Sequence, residues 1–302
     1  MDSNKGINKK NINSILNKKF DEWVESIDDE HIRHLVEHNT IISGGCIASM
    51  LLGENCNDYD VYFQNFETAY QVAKYYIDRY EEIYKEDINE VEFLDLEVIT
   101  DEDNDEMKRI KIKNSSGREI YARRESRKDK EEIKEEDKKS STKKSDKKYE
   151  PKFITDNAIT LTDQIQIVIR FYGEVEEVLG NFDFVHCMNY WTSHDRQLVL
   201  RQDALESLLC KELKYVGSKY PFCSIVRTRK FISKGWIINA GQYLKMAIQL
   251  CELDFKDPNI LQDQLIGVDT EYFRDFINKL EESNDEKLDK TALYSIIDEI
   301  FG

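Results

Sequence analysis

Two aspartates one residue apart, Asp58 and Asp60 in the run DYDVYF, are the residues of this chain best suited to chemistry. On a strand, residues i and i+2 point to the same face, so both carboxylates project together. Paired hard oxygen donors of this kind are what Mg²⁺ binding needs, with water and phosphate oxygens completing the octahedron. Upstream, Gly44 and Gly45 follow the apolar run TII and open the apolar stretch CIASMLL. A Gly-Gly turn lets backbone approach a ligand closely, and the amides of a helix N-terminus hold a phosphate group. Neither half is specific alone, since acidic residues alternate on many exposed strands. In the order strand, glycines, apolar helix, acidic strand, they bring a phosphate site and a metal site together.

The elements that must position these groups follow from periodicity. Residues 11–38 carry Ile12, Ile15, Leu16, Phe20, Trp23, Val24 and Ile27 at helical spacing. IIS reads as a short strand, DYDVYF as a half-buried strand, and FETAYQVAKYYIDRYEEIY as an amphipathic helix. VEFLDLEVIT is a further strand, and RIKIKNSSGREIYA reads as a hairpin turning at Asn114–Gly117. AITLT, IQIVIRFYG and FDFVHCMNYW are strand-like, with a short helix EVEEVLG before the last. From about residue 200 the pattern is helical and ends in an acidic tail. The expected fold class is α+β: a mixed sheet with helices over residues 1–200, then an all-helical domain over 201–302.

Residues 124–150 hold a single aliphatic side chain, Ile133, among alternating charges, and are expected to be a disordered surface insert. The formal net charge of -17 excludes nucleic-acid binding through the average field, so such a contact needs a local basic face. One exists: between Lys211 and Lys234 stand seven basic residues and one acid, Glu212. Within it Lys219, Arg227, Arg229 and Lys230 are suited to clamping a triphosphate or following the phosphates of an acceptor. The six cysteines form no CxxC pair, and no stretch approaches about eighteen apolar residues, so a cytoplasmic protein without a membrane span is expected. His31, His34 and His38 share a face of one predicted helix, but among Asp29, Glu30 and Glu37 they read as surface residues. His186 reads as a packing residue and the tyrosines as sheet–helix filler.

Ile42-Ser43-Gly44-Gly45, followed by Asp58-Tyr59-Asp60-Val61, resembles the nucleotidyltransferase motif of the DNA polymerase β superfamily. GGCIASMLLGENCNDYD is also similar to the corresponding segment of CCA-adding and poly(A)-adding enzymes, though it lacks the Arg-Asp pair that follows the glycines in the CCA enzymes. NAITL, IQIVIRF, FDFVHCMNYW, YVGSKYP and RTRKFISKGWIINAGQ resemble uncharacterised bacteriophage nucleotidyltransferase-like proteins. The resemblance implies a polymerase-β-like palm, with the helical domain closing over its nucleotide cleft. It implies metal-dependent transfer of a nucleotide from an NTP, with ATP the expected donor, to an acceptor hydroxyl, releasing pyrophosphate. Asp58, Asp60 and a third carboxylate would hold Mg²⁺ or Mn²⁺. Asp183 is the choice for the third, with Asp95 or Glu97 as alternatives. An RNA 3′ end, tRNA especially, is the leading acceptor, met through the basic tract at 211–234. The rivals are a non-catalytic nucleotide- or RNA-binding module and an interaction protein docking through its acidic tail. Intact Gly44, Gly45, Asp58 and Asp60 speak against both.

Overall fold

The computed structural model describes residues 6–84, 94–101, 104–114, 148–253 and 264. The chain divides into two compact units: Met1–Leu179 with Cys187–Leu205, and Gly180–His186 with Glu206–Gly302. The second therefore takes a short piece of chain from within the first, rather than beginning cleanly at residue 201.

In the first unit the predicted helix over 11–38 is two helices, α1 (Lys9–Glu25) and α2 (Glu30–Asn39). The break falls where Asp29 turns extended and its side chain accepts from the Ile32 amide at 3.0 Å, capping a new helix. Ile12, Leu16, Phe20, Trp23 and Val24 bury one stripe of α1, the face the sequence spacing predicts. Next come β1 (Thr40–Ser43), α3 (Gly45–Leu52), β2 (Tyr59–Phe63) and α4 (Phe66–Tyr84). Trp23 Nε1 donates to the Tyr76 hydroxyl at 2.8 Å, so a buried tie joins α1 to α4.

β3 (Leu94–Asp101) and β4 (Asn104–Asn114) follow, then β5 (Pro151–Thr155), β6 (Ala158–Leu161), β7 (Ile165–Tyr172), the short helix α5 (Val175–Leu179), β8 (Tyr190–Thr192) and β9 (Gln197–Val199). Seven of these strands form one sheet in the order β5-β6-β7-β2-β1-β8-β9. β2 pairs with β7 in parallel, which requires the long crossover through α4 and the strands between them. β1 pairs antiparallel with β2 and with β8. Ile42, Val61, Phe63, Ile165, Ile167, Ile169 and Trp191 join the α1 and α4 residues in one core.

Two expectations are corrected. β4 pairs antiparallel with β3, with Leu94 opposite Asn114, while the second arm of the hairpin expected after RIKIKN lies outside the described residues. The proposed turn at 115–117 lies outside the described residues. FDFVHCMNYW is not one strand, because Asp183–His186 passes into the second unit and only Tyr190–Thr192 joins the sheet. The charged insert lies outside the described residues up to 147, but its end is part of the fold. Tyr149 is buried to 2% exposure, and its hydroxyl donates to Glu22 at 3.2 Å.

A buried ion pair fixes β4 to the turn between β5 and β6. Lys111 Nζ lies 3.5 Å from Asp156 Oδ2, with side chains 10% and 8% exposed. The Ile112 amide donates to the Asp156 carbonyl at 2.9 Å. Removing one partner strands a charge in the interior, so Asp156→Ala should destabilise the first unit by about 3–5 kcal/mol. Urea unfolding is the check, and a loss under about 1 kcal/mol would mean the pair is effectively solvated.

The described part of the second unit holds the C-terminal half of α6 (Gln202–Cys210), α7 (Pro221–Ile232) and α8 (Ala240–Leu250). The acidic tail, Gln264 apart, lies outside the described residues, as does any helix in it.

Candidate active site

The turn between β1 and α3 is built around Gly44. Its backbone sits at φ 93°, ψ -153°, a conformation essentially confined to glycine. The Gly44 amide donates to the Cys187 carbonyl at 3.1 Å, and Ser43 Oγ donates to the Asn189 carbonyl at 2.9 Å. Residues far along the chain thus pin the turn, and no feature of the sequence signals that pairing.

On β2, Tyr59, Val61 and Phe63 belong to the core, so alternation sends Asp60 to the opposite face, whereas Asp58, expected on the same strand, lies in the loop just before it. Asp60 stands opposite Ser43 in the β1–β2 register. Its carboxylate lies directly against the glycine turn: a Cβ added at Gly44 would meet Asp60 Oδ2 at 2.7 Å. Gly45 differs, because a Cβ there would meet nothing within 4 Å. Of the two glycines, the first is required by backbone conformation and the close carboxylate, while the second borders open space. The N-cap residue of α3 is Gly44, which has no side chain to cap the helix, and the Asp60 carboxylate lies beside this helix start. Asp58 is exposed and Asp60 half-buried, which leaves both reachable from solvent.

Two thiols the sequence reading passed over flank the aspartates. Cys46, in the first turn of α3, is buried, and Cys56 is half-buried in the loop before Asp58. A hydrogen bond to Cys56, together with burial, holds the Cys46 thiol well above its ordinary pKa. The same bond lowers that of Cys56, against burial and the nearby Asp58 and Asp60 charges.

The other predicted site residues are elsewhere. The positions beside Asp60 on its two neighbouring strands are Ser43 on β1 and Gln166 on β7, so neither supplies a carboxylate. Asp183 is not on that sheet. It belongs to the second unit, 7% exposed, where its Oδ2 pairs with Arg227 Nη1 at 2.5 Å and its Oδ1 accepts from Ser218 Oγ at 3.2 Å. The carboxylate chosen for metal and the guanidinium chosen for phosphate therefore neutralise each other. Asp95 and Glu97 lie on β3, outside the seven-stranded sheet, and Glu97 pairs with Lys113 at 2.5 Å. Lys219 precedes α7, and Arg229 and Lys230 occupy its last turn. All three are exposed.

His186 lies in the same unit, not on a strand, with its ring 4.4 Å from Trp236 and 4.7 Å from Phe231. Among the described residues its Nδ1 has no hydrogen-bond partner, and burial pushes its pKa down from 6.5 to about 4. The neutral ring is a packing element, as its residue type and neighbours suggest. As pH falls below the unfolded value, the unfolded chain binds a proton that the folded one refuses. Stability is therefore complete above about pH 6.5 and declines as pH falls toward about 4. The expected loss is about 2 kcal/mol between pH 7 and pH 5. Denaturant titrations of wild type and His186→Leu at both pH values test this, since the variant should lose that part of the pH dependence.

The site and sheet define an α+β protein with a glycine turn, a helix N-terminus and two carboxylates at one edge of its core. The chain belongs to the Gabija anti-defense 2 family, whose sequence profile matches residues 14–211. A relative named Gabija anti-defense 2, from Bacillus phage SPbetaL7, is 23% identical over 103 residues, covering 34% of this chain and 26% of that protein. Among solved structures, the Thermotoga maritima CCA-adding enzyme complexed with tRNA aligns with TM-score 0.37 and 12% identity, over 95% of this chain and 47% of that one. A CCA-adding enzyme in complex with CTP gives TM-score 0.40 and 14% identity, over 83% and 46%. The Bacillus stearothermophilus enzyme with CTP gives 0.38 and 11%, over 84% and 50%. The alignments thus span about half the length of these enzymes and about a quarter of the phage protein. No helix among the described residues is long and apolar enough to cross a membrane.

Proposed function

We propose that this chain is a metal-dependent nucleotidyltransferase that moves a nucleotide from an NTP to an acceptor hydroxyl, and that this activity serves an anti-Gabija role. The observation that carries the proposal is the Asp60 carboxylate set against Gly44 at the N-terminus of α3. Asp58 and Asp60 are the residues that would hold Mg²⁺ or Mn²⁺, since two carboxylates two residues apart, one at the start of β2 and one on it, offer the hard oxygen donors such an ion needs. Bound there, the ion supplies charge neutralisation for the triphosphate and a lowered pKa for the attacking hydroxyl.

The protein's own part is positioning. The α3 amides hold phosphate oxygens, Gly45 leaves space for their approach, and the pinned Ser43–Gly44 turn keeps Asp60 fixed against β1. Asp183 stands outside this assignment because its carboxylate is engaged by Arg227 and Ser218. In the second unit, exposed Lys219, Arg229 and Lys230 offer phosphate contacts to an RNA acceptor, and an RNA 3′ end is the acceptor the basic tract favours. Family membership favours a second reading, in which the hydroxyl belongs to a component of the Gabija system itself.

The deciding experiment incubates the purified chain with each α-labelled NTP, Mg²⁺ or Mn²⁺, cellular RNA, and Gabija components. Metal-dependent label in RNA supports the first acceptor, and label in a Gabija component the second. Absence of label in every fraction, with NTP binding intact, would leave a nucleotide-binding module and overturn the proposal.

A further inference from the structure

We infer that the solvent face of α2 carries a binding site for a divalent transition metal, formed by His34, Glu37 and His38 and separate from the aspartate site. One ligand atom from each of these side chains lies within 4.8 Å of the others. The helix explains why: residues three and four apart share a face, so His34 meets both Glu37 and His38. The two imidazole rings are 4.2 Å apart between centroids, at an interplanar angle of 46°. His31 stands on the same helix but outside this convergence.

The hydrogen bonding of His38 suits ligation. Its Nδ1 lies 2.8 Å from the His34 carbonyl oxygen. A carbonyl only accepts, so Nδ1 carries the hydrogen, and in the neutral ring the lone pair stands on Nε2. Metal-bound histidines commonly donate their other ring nitrogen to a backbone carbonyl in this way, which fixes the ring. Ile32 and Val36 take the buried side of α2, so the trio faces outward and an ion reaches it without any rearrangement of the core. The nearby Arg33 guanidinium is tied to the Ile27 carbonyl by two hydrogen bonds, of 3.2 and 2.7 Å.

Two further features favour a cation. The trio lies in the second half of α2, whose C-terminal end carries the negative pole of the helix dipole. Its donor set, two nitrogens and one carboxylate, suits Zn²⁺, Co²⁺ or Ni²⁺ rather than Mg²⁺. Three protein ligands leave a coordination position for water. An ion bound here would clamp the last turns of α2, which runs directly into β1 and the glycine turn.

The test is calorimetric titration of the full chain with Zn²⁺ in excess Mg²⁺, comparing wild type with the double variant His34→Ala/His38→Ala and with Glu37→Gln. All three side chains are exposed, so the variants should fold normally, which circular dichroism confirms. Other thiols and carboxylates also bind Zn²⁺, so the informative quantity is the difference between isotherms. One equivalent present in wild type should vanish in the double variant and weaken by about tenfold or more in Glu37→Gln. The visible d–d bands of Co²⁺ bound at this site should be lost in parallel. Superimposable isotherms and spectra for wild type and double variant would overturn the site. Nucleotidyl transfer in Mg²⁺ is a separate readout that these substitutions should leave unchanged.

Discussion

Asp60→Asn should reduce nucleotidyl transfer by about a thousandfold or more while leaving the protein folded. The amide is isosteric, and Asp60 is only half-buried, so the cost to stability should stay within about 1 kcal/mol. What disappears is negative charge where a divalent ion is proposed to bind, and such an ion contributes several kcal/mol of transition-state stabilisation. The loss should fall on kcat and kcat/KM together, since it removes an interaction that matters most in the transition state. Asp58→Asn should act in the same direction. The pair tests the assignment more sharply than either change alone, because residues that act as a unit give non-additive losses. The measurement is initial-rate transfer of α-label across a Mn²⁺ and Mg²⁺ titration. A double variant that keeps more than a tenth of wild-type activity would end the claim that these carboxylates hold the metal.

Gly44→Ala should lower transfer by about a hundredfold, whereas Gly45→Ala should be far milder. The contrast comes from geometry rather than residue type. At Gly44 an added methyl group meets Asp60 Oδ2 at 2.7 Å on a backbone at φ 93°, so both the turn and the carboxylate must shift. Residues forced into such backbone regions cost about 1–3 kcal/mol, and displacing a reacting group by about 1 Å costs about a hundredfold in rate. At Gly45 the methyl group enters open space, so the fold is kept and any loss should appear in the KM for nucleotide. Thermal unfolding alongside kinetics separates the two effects. Equal behaviour of the two variants in both measurements would remove the close carboxylate as the reason for the glycine.

Much of this molecule was legible in the sequence where the signal is local. The alternation in DYDVYF gave a strand with Asp60 off the core face, though it begins at Tyr59 and leaves Asp58 in the loop before it, and the apolar spacing of α1 and α4 gave their buried stripes. Gly-Gly between a strand and an apolar run gave the turn into α3. Periodicity and backbone preference act over a few residues, so a short window contains them. Membership of a helix, by contrast, did not reveal where it stops: the Asp29 cap splits residues 11–38, although the apolar spacing continues across it.

Tertiary structure alone decided which distant groups meet. FDFVHCMNYW has the composition of a strand, yet Phe184 bridges Tyr215 while Trp191 pairs with Ile42, dividing the run between two units. That division takes Asp183 off the sheet and gives it Arg227 as a partner, a pairing across 44 residues that no local pattern predicts. Strand order is equally non-local, so Gln166, not a carboxylate, came to stand beside Asp60. The motif by itself determined that a glycine turn and Asp60 would meet where β1 and β2 pair. Its membership and the pinning of its turn were set by contacts whose energy depends on the packed whole.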